Sequence, residues 1–211
     1  MEWGVKITFG TSALVLLLVL IIKTNVHRSL KMVIGFIILI GLITDGISSL
    51  IPLTPSLTQF IFNAYVFFSS ICLWGILFLA FRSKRERQIS SIVFGVFLFG
   101  MIFFSIIENR LDFNNGIWSS LQALIGIAYS FYYFFKQLNI AEEIKITATP
   151  KFWIFSGFLI YFGGTFVLSL FYDLMVGLPP IVIAYVWPIM NVMTILFHIT
   201  LIKAIWTMRK T

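Results

Sequence analysis

The sequence predicts an all-α membrane protein with seven transmembrane helices, and two observations carry this fold class. The first is composition: 60% of the 211 residues are hydrophobic, only 11% are charged, and the mean hydropathy is +1.02. Soluble globular domains contain about 25% charged residues and about 45–50% apolar ones. The second is seven apolar runs, each near the roughly 20 residues that a membrane-spanning helix needs. A soluble enzyme, a disordered chain, a collagen-like chain and a disulfide framework are therefore excluded.

The seven predicted spans, in order and to within a few residues, are 5–22, 32–52, 58–81, 89–107, 117–135, 152–173 and 181–205. A signal peptide carries cations before its apolar core and small residues after it. The first span is instead followed by cations, so it is expected to be a retained helix. Proline and glycine in the connections at 53–56 and 177–180 end helices. Spans two and three, and spans six and seven, are therefore expected to form antiparallel hairpins. Residues 1–211 leave no room for a soluble domain and form a single membrane domain.

The lysines and arginines predict how these spans are oriented. Only Lys6 and Arg110 lie on one side of the predicted helices. The other thirteen of the fifteen cations lie in the remaining connections and the tail: Lys23, Arg28, Lys31, Arg82, Lys84, Arg85, Arg87, Lys136, Lys145, Lys151, Lys203, Arg209 and Lys210. Cytoplasmic loops collect Lys and Arg, so the N-terminus is expected outside and the C-terminus in the cytoplasm. Contact with anionic lipid headgroups explains the net charge of +7 without a nucleic-acid partner.

A weak internal repeat suggests a 3+1+3 arrangement with the fourth span as linker. Three short motifs recur about 120 residues apart: Gly35-Phe36 with Gly157-Phe158, Ala64-Tyr65-Val66 with Ala184-Tyr185-Val186, and Ile76-Leu77-Phe78 with Ile195-Leu196-Phe197. Membrane carriers are often built from such repeats. Chance recurrence in a chain with 24 phenylalanines is the alternative.

Polar side chains within the spans predict a ligand pocket in the outer half of the bundle. Ionisable groups inside a bilayer are costly and usually face a cavity or a partner. Asp45 in the second span is the clearest case, and polar stripes recur at helical spacing on four more spans, including Tyr161, Thr165 and Ser169 on the sixth. The candidate ligand-binding residues are Asp45, Asn63, Gln122, Tyr129, Tyr172, Asp173 and Asn191. Interhelical hydrogen bonding is the alternative role for such groups.

Catalytic and cofactor motifs are not found in the sequence. Two histidines and one cysteine do not make a zinc site of ordinary spacing. The HExxH, GxSxG and GxxxxGK[ST] patterns are absent. Neither enzyme activity nor a cofactor or metal is therefore expected.

The segment from Phe152 to Gly164, FWIFSGFLIYFGG, resembles the sixth helix of small seven-helix bacterial membrane proteins that occur alone or with two-component histidine kinases. The segment from His198 to Trp206 before the basic tail is similar to the seventh helix of that group, so the resemblance covers roughly the last 60 residues. It implies a bacterial inner-membrane location and a cytoplasmic signalling partner such as a histidine kinase. The candidate partner-binding residues are Arg82, Lys84, Arg85 and Arg87.

Three functions remain open at this point. The leading hypothesis is a sensor that binds a small molecule or lipid in an outward-facing pocket and contacts a cytoplasmic protein. The second is a small-solute transporter, because the 3+1+3 arrangement resembles that of sugar and vitamin carriers. The third is a structural subunit of a larger membrane complex.

Overall fold

The computed structural model describes residues 2–22, 27–50, 55–107, 115–138, 146–171 and 180–209. These residues form seven α-helices: α1 (Glu2–Ile21), α2 (Arg28–Leu50), α3 (Pro55–Ala80), α4 (Lys84–Ile107), α5 (Asn115–Leu138), α6 (Pro150–Leu170) and α7 (Pro180–Met208). A 3₁₀ turn, Ile146–Ala148, precedes α6. Each predicted span corresponds to one helix, so the all-α prediction is confirmed. Every helix begins one to five residues before its predicted span.

The earlier starts have a local cause, since helix-initiating residues are polar or proline and do not count in an apolar run. Pro55, Pro150 and Pro180 are the first residues of α3, α6 and α7. Proline suits this position because its φ is already helical and its missing N–H would have no helical partner. At the start of α4, Glu86 Oε2 accepts a hydrogen bond of 3.3 Å from the Ser83 N–H, as in a capping box.

Within the described residues, five helices are long and apolar enough to cross a membrane: α2, α3, α4, α6 and α7. The apolar part of α1 is a shorter segment, Ile7–Ile21. α5 is more polar because it carries serines, tyrosines and Gln122. The protein is therefore an α-helical bundle of membrane type.

Large apolar side chains cover the outside of the bundle, as expected for a surface in contact with acyl chains. Phe36, Ile92 and Phe99 are 61%, 65% and 68% exposed. Soluble monomers rarely show such continuous apolar surface.

Six helices form a closed ring in the order α1, α2, α3, α5, α6, α7, and α7 packs back against α1. α4 lies outside this ring against α3. Phe94 and Phe97 of α4 reach Tyr129 and Trp118 of α5. A 3+1+3 arrangement requires α1, α2 and α3 to be equivalent to α5, α6 and α7, respectively. The ring meets this requirement, because replacing each helix by its equivalent gives the same pairs of neighbours.

The residue pairs of the predicted repeat do not share this symmetry. A Cβ on Gly35 would meet Val19 of α1, whereas a Cβ on Gly157 would meet Thr200 of α7. If the two halves were equivalent, α6 would face α5 where α2 faces α1. Gly157 instead faces α7, so the two glycines do not have equivalent neighbours. Leu77 is fully buried while Leu196 is exposed. The side chains of Ala184, Tyr185 and Val186 lie outside the described residues.

Every Lys and Arg whose side chain the structure describes lies at one end of the bundle, here called the basic end. Contacts join its helices: Lys31 Nζ donates to the Ile22 carbonyl at 2.7 Å, and Lys203 Nζ lies 5.7 Å from the Trp153 ring centroid. The main apolar core fills this half. Its fully buried side chains include Leu73, Leu77, Phe155, Phe158, Leu201 and Ile205. The far end has a smaller apolar cluster around Val66, Phe97 and Met101.

Candidate functional site

Asp45 lies on the core-facing side of α2, although its side chain is exposed. The buried Ile38 precedes it by seven residues, which is close to two helical turns. The exposed Phe36, Leu39 and Ile43 define the opposite, outward side of α2. Asp45 is therefore on the inward side of α2 but is not covered by neighbouring helices. We call the space beside its side chain the far-end recess.

Two tyrosines meet beside Asp45. The Tyr65 hydroxyl of α3 and the Tyr161 hydroxyl of α6 form a hydrogen bond with each other, and the Asp45 carboxyl lies within electrostatic range of both. These three residues, the outer polar cluster, connect α2, α3 and α6. Tyr161 was expected on a polar stripe of its helix but is not among the candidate site residues, and Tyr65 was missed. The alternation of polar and apolar residues in α3 does not distinguish Tyr65 from its aromatic neighbours.

Gln122 and Asn63 are buried between helices. The Gln122 amide nitrogen of α5 donates to Ser69 Oγ of α3 at 2.8 Å. Ser69 in turn donates to the Val66 carbonyl at 3.1 Å. Asn63 is 7% exposed, two residues before Tyr65 on α3. Gln122 thus joins α3 to α5, which is the interhelical role that the sequence left as its alternative.

The remaining candidate ligand residues lie elsewhere or outside the described structure. Tyr129 packs between Phe81 and Phe94, with ring centroids 5.9 and 6.4 Å away, toward the basic end. Asn191 is half-buried on α7. Tyr172 and Asp173 lie outside the described residues. Of the five predicted residues that the structure describes, it places Asp45 alone in the outer polar cluster.

A continuous series of aromatic rings runs from the outer polar cluster to the basic end. Ring centroids are 5.2 Å apart for Tyr161 and Phe197, 5.9 Å for Phe197 and Phe158, and 6.1 Å for Phe158 and Phe155. The series continues from Phe155 to Phe81 at 6.0 Å and from Phe81 to Tyr132 at 5.7 Å. We call it the aromatic column.

The aromatic column ends at a carboxylate. Glu86 Oε1 accepts hydrogen bonds from the Tyr132 hydroxyl at 2.7 Å and from Lys136 Nζ at 2.6 Å. The two chemically distinct ends of the bundle are therefore connected by one run of close contacts through its core.

A second buried polar contact, also missed by the sequence, joins α1 to α7 and closes the ring. The Thr11 and Ser12 hydroxyls both donate to the Thr8 carbonyl at 2.9 Å. Thr11 Oγ1 also lies 2.9 Å from His198 Nδ1 and forms a hydrogen bond with it. The tautomer of His198 decides which of these two atoms donates. Ser12 Oγ lies 3.5 Å from His198 Nε2.

At the basic end, several cations bind the carbonyls that end the helices. Lys151 Nζ donates to the Ala80 carbonyl and Arg87 Nε donates to the Phe81 carbonyl at 2.8 Å, both where α3 ends. Cations near a helix C-terminus bind its free carbonyls and interact favourably with the negative end of its dipole.

Burial, and then the Lys151 ammonium, lower the pKa of His27, so this histidine is neutral at pH 7. Among the predicted partner residues, Arg82, Lys84 and Arg85 are exposed and Arg87 is half-buried.

The fold and these sites define a class: a membrane-type helical bundle with one carboxyl and two tyrosines clustered toward one end and a group of cations at the other. Neither the known family models nor the curated proteins and solved structures contain a match to this chain. Function is therefore argued from the sites alone.

Proposed function

We propose that the protein is a non-catalytic sensor of the bacterial inner membrane that binds a small organic cation in the far-end recess. The observation that carries the proposal is the exposed Asp45 carboxylate on the inward side of α2, beside the Tyr65–Tyr161 pair. A carboxylate attracts an ammonium group, and its effect is stronger in a recess with low-dielectric walls. Tyrosine faces attract cations further, and hydroxyl oxygens accept hydrogen bonds from an ammonium.

In this proposal all seven helices span the membrane, with the basic end in the cytoplasm. The segregation of lysine and arginine supports that orientation through the positive-inside rule. The recess then opens to the outside, where a soluble cation reaches it without crossing the apolar core.

The aromatic column supports a route from ligand to cytoplasm. A ligand changes an equilibrium only if it binds two states unequally. Ammonium binding between Asp45 and Tyr161 would favour one separation of α2 and α6, and Tyr161 packs on Phe197 of α7. The readout at the basic end would be a cytoplasmic signalling protein, such as a histidine kinase, that contacts the exposed Arg85.

Thermal unfolding of the purified chain in mild detergent tests the ligand class. Choline, ethanolamine and putrescine are the cationic probes, and sorbitol and glutamate are the neutral and anionic ones. We expect the ammonium compounds alone to raise the Tm, with about 2.7 kcal/mol of stabilisation at one hundred times Kd. Asp45→Asn should abolish the shift. Glu86→Gln removes a carboxylate at the basic end and should preserve the shift.

The proposal fails if sorbitol or glutamate stabilises the protein as well as the cations do, or if Asp45→Asn responds like the wild type. If no probe shifts the Tm, the ammonium specificity is rejected.

The symmetric helix order favours a second candidate function, a small-solute transporter. A carrier with two equivalent three-helix halves would open the recess alternately to either side. Uptake of labelled choline into liposomes separates the two functions, since a carrier gives saturable accumulation and a sensor gives binding without accumulation. Purification within a large stable membrane assembly would instead support a structural subunit.

A further inference from the structure

A groove of about 820 Å³ opens between α3 and α4 at the basic end. Arg82, Lys84 and Arg87 line it together with Phe78 and Ile92. Its described lining contains no acidic residue. The carboxylate of the neighbouring Glu86 is held by Tyr132 and Lys136 of α5, and it is not part of the lining. The groove therefore concentrates positive charge at the edge of the apolar bundle.

Two contacts within the protein hold the Arg87 side chain in one orientation in this groove. Its Nε donates to the Phe81 carbonyl at 2.8 Å, and its guanidinium carbon lies 5.0 Å from the Phe78 ring centroid. Neither contact uses the two terminal nitrogens of the guanidinium. A guanidinium in fixed orientation binds phosphate oxygens in a bidentate manner and loses little side-chain entropy on doing so.

The groove leads directly onto an apolar surface. Ile92, Val96 and Phe99 follow along α4 at spacings of four and three residues and are 65%, 67% and 68% exposed. This spacing places them on one face of the helix. At a rise of 1.5 Å per residue, the strip from Ile92 to Phe99 is roughly 10 Å long. A ligand in the groove thus contacts cations at one end and this apolar strip at the other.

We propose that this groove binds one anionic phospholipid, with its phosphate on Arg82, Lys84 and Arg87 and an acyl chain along Ile92, Val96 and Phe99. Only an amphiphile satisfies both parts of the surface, because a free phosphate or an acidic peptide leaves the apolar strip uncovered. The start of α4 adds its positive dipole end near the phosphate. This site is independent of the recess ligand, and Arg85, which does not line the groove, remains available to a protein partner.

The test uses the full chain in nanodiscs of phosphatidylcholine and phosphatidylglycerol, followed by native mass spectrometry of the released protein. We expect the wild type to retain one phosphatidylglycerol in preference to phosphatidylcholine. Arg82→Gln should lower this retention about tenfold, since a hydrogen bond to a charged group contributes enough free energy for that factor. Arg85→Gln is the matched control, with the same charge loss beside the groove, and should retain the lipid.

Arg87→Gln should also lower the retention of phosphatidylglycerol, but this variant loses the hydrogen bond to the Phe81 carbonyl as well. If Arg87→Gln fails to fold, the test depends on Arg82→Gln. Equal retention of the two lipids overturns the proposal, as does equal loss in Arg82→Gln and Arg85→Gln. Displacement of phosphatidylglycerol by inorganic phosphate or by polyglutamate also overturns it, because the cations would then bind a soluble anion or an acidic protein.

Discussion

The Tyr65 hydroxyl of α3 and the Tyr161 hydroxyl of α6 form a hydrogen bond with each other. In the ring of helices α5 lies between α3 and α6, so this bond crosses the interior rather than joining neighbours. Tyr161 also packs on Phe197, with centroids 5.2 Å apart. The tyrosine pair therefore links α3 and α6 across the interior, with Asp45 on one side of it and Phe197 on the other.

Removing one of the two hydroxyls in this bond should weaken ligand binding more than folding. Tyr161→Phe keeps the ring and its packing on Phe197 but loses the hydroxyl. We expect a loss of about 0.6 kcal/mol of stability, the average for interhelical hydrogen bonds in membranes, and a clear fall in the Tm shift produced by choline. Tyr129→Phe is the control, because Tyr129 packs toward the basic end, and it should keep the full choline shift. Equal responses of the two variants would contradict the assignment of the cluster.

Two glycines of α6 should respond to alanine in opposite directions. A Cβ on Gly157 would collide with Thr200 and press on Phe197, whereas a Cβ on Gly163 would meet nothing within 4 Å. Overpacking costs about 1–3 kcal/mol, and alanine in an open helical position gains about 0.5–1 kcal/mol over glycine. Gly157→Ala should therefore lower the Tm in detergent and Gly163→Ala should raise it. A Gly157→Ala variant as stable as the wild type would show that α6 and α7 pack less closely than described.

The contact of His198 with Thr11 should appear as an energetic coupling between α7 and α1. The four proteins of the double-mutant cycle are the wild type, Thr11→Val, His198→Phe and the double variant. We expect each single change to destabilise, and a coupling free energy of about 0.6 to 1.7 kcal/mol. Unfolding free energies measured in detergent micelles give the coupling. Strict additivity would mean that the hydrogen bond contributes nothing to the closure of the ring.

Lys151 and Lys203 lie at the same end of the bundle but should differ in importance. Lys151→Met keeps the apolar stem and removes the donor to the Ala80 carbonyl. Loss of a cation at a helix C-terminus costs about 0.3–1 kcal/mol, so α3 should fray and exchange its last amide hydrogens faster. Lys203→Met is the control, because Lys203 is exposed and contacts only the face of Trp153 in the contacts described. Unchanged hydrogen exchange in Lys151→Met would show that Arg87 alone suffices to cap α3.

Much of the helical architecture followed from the sequence because its signals are local. An apolar run of about 20 residues indicates a membrane helix without any knowledge of its neighbours, and seven such runs correspond to the seven described helices. Polarity alone, however, did not distinguish the roles of Gln122 and Asp45. Gln122 joins two helices, whereas Asp45 is exposed. Tyr65 was missed because a tyrosine among phenylalanines in an apolar helix gives no periodic signal, and its role depends on a partner almost one hundred residues away.

The sequence by itself determined the composition of a lipid-soluble bundle, its seven helices and the gathering of cations in alternate connections, because each depends on residues near one another in the chain. Only the tertiary structure decided the closed order of six helices with α4 outside, the Tyr65–Tyr161 and Thr11–His198 contacts, and the groove beside Arg82. These features depend on which faces of distant helices pack together. That choice is made by side-chain shape and hydrogen bonding across the whole core, which no single segment of the chain contains.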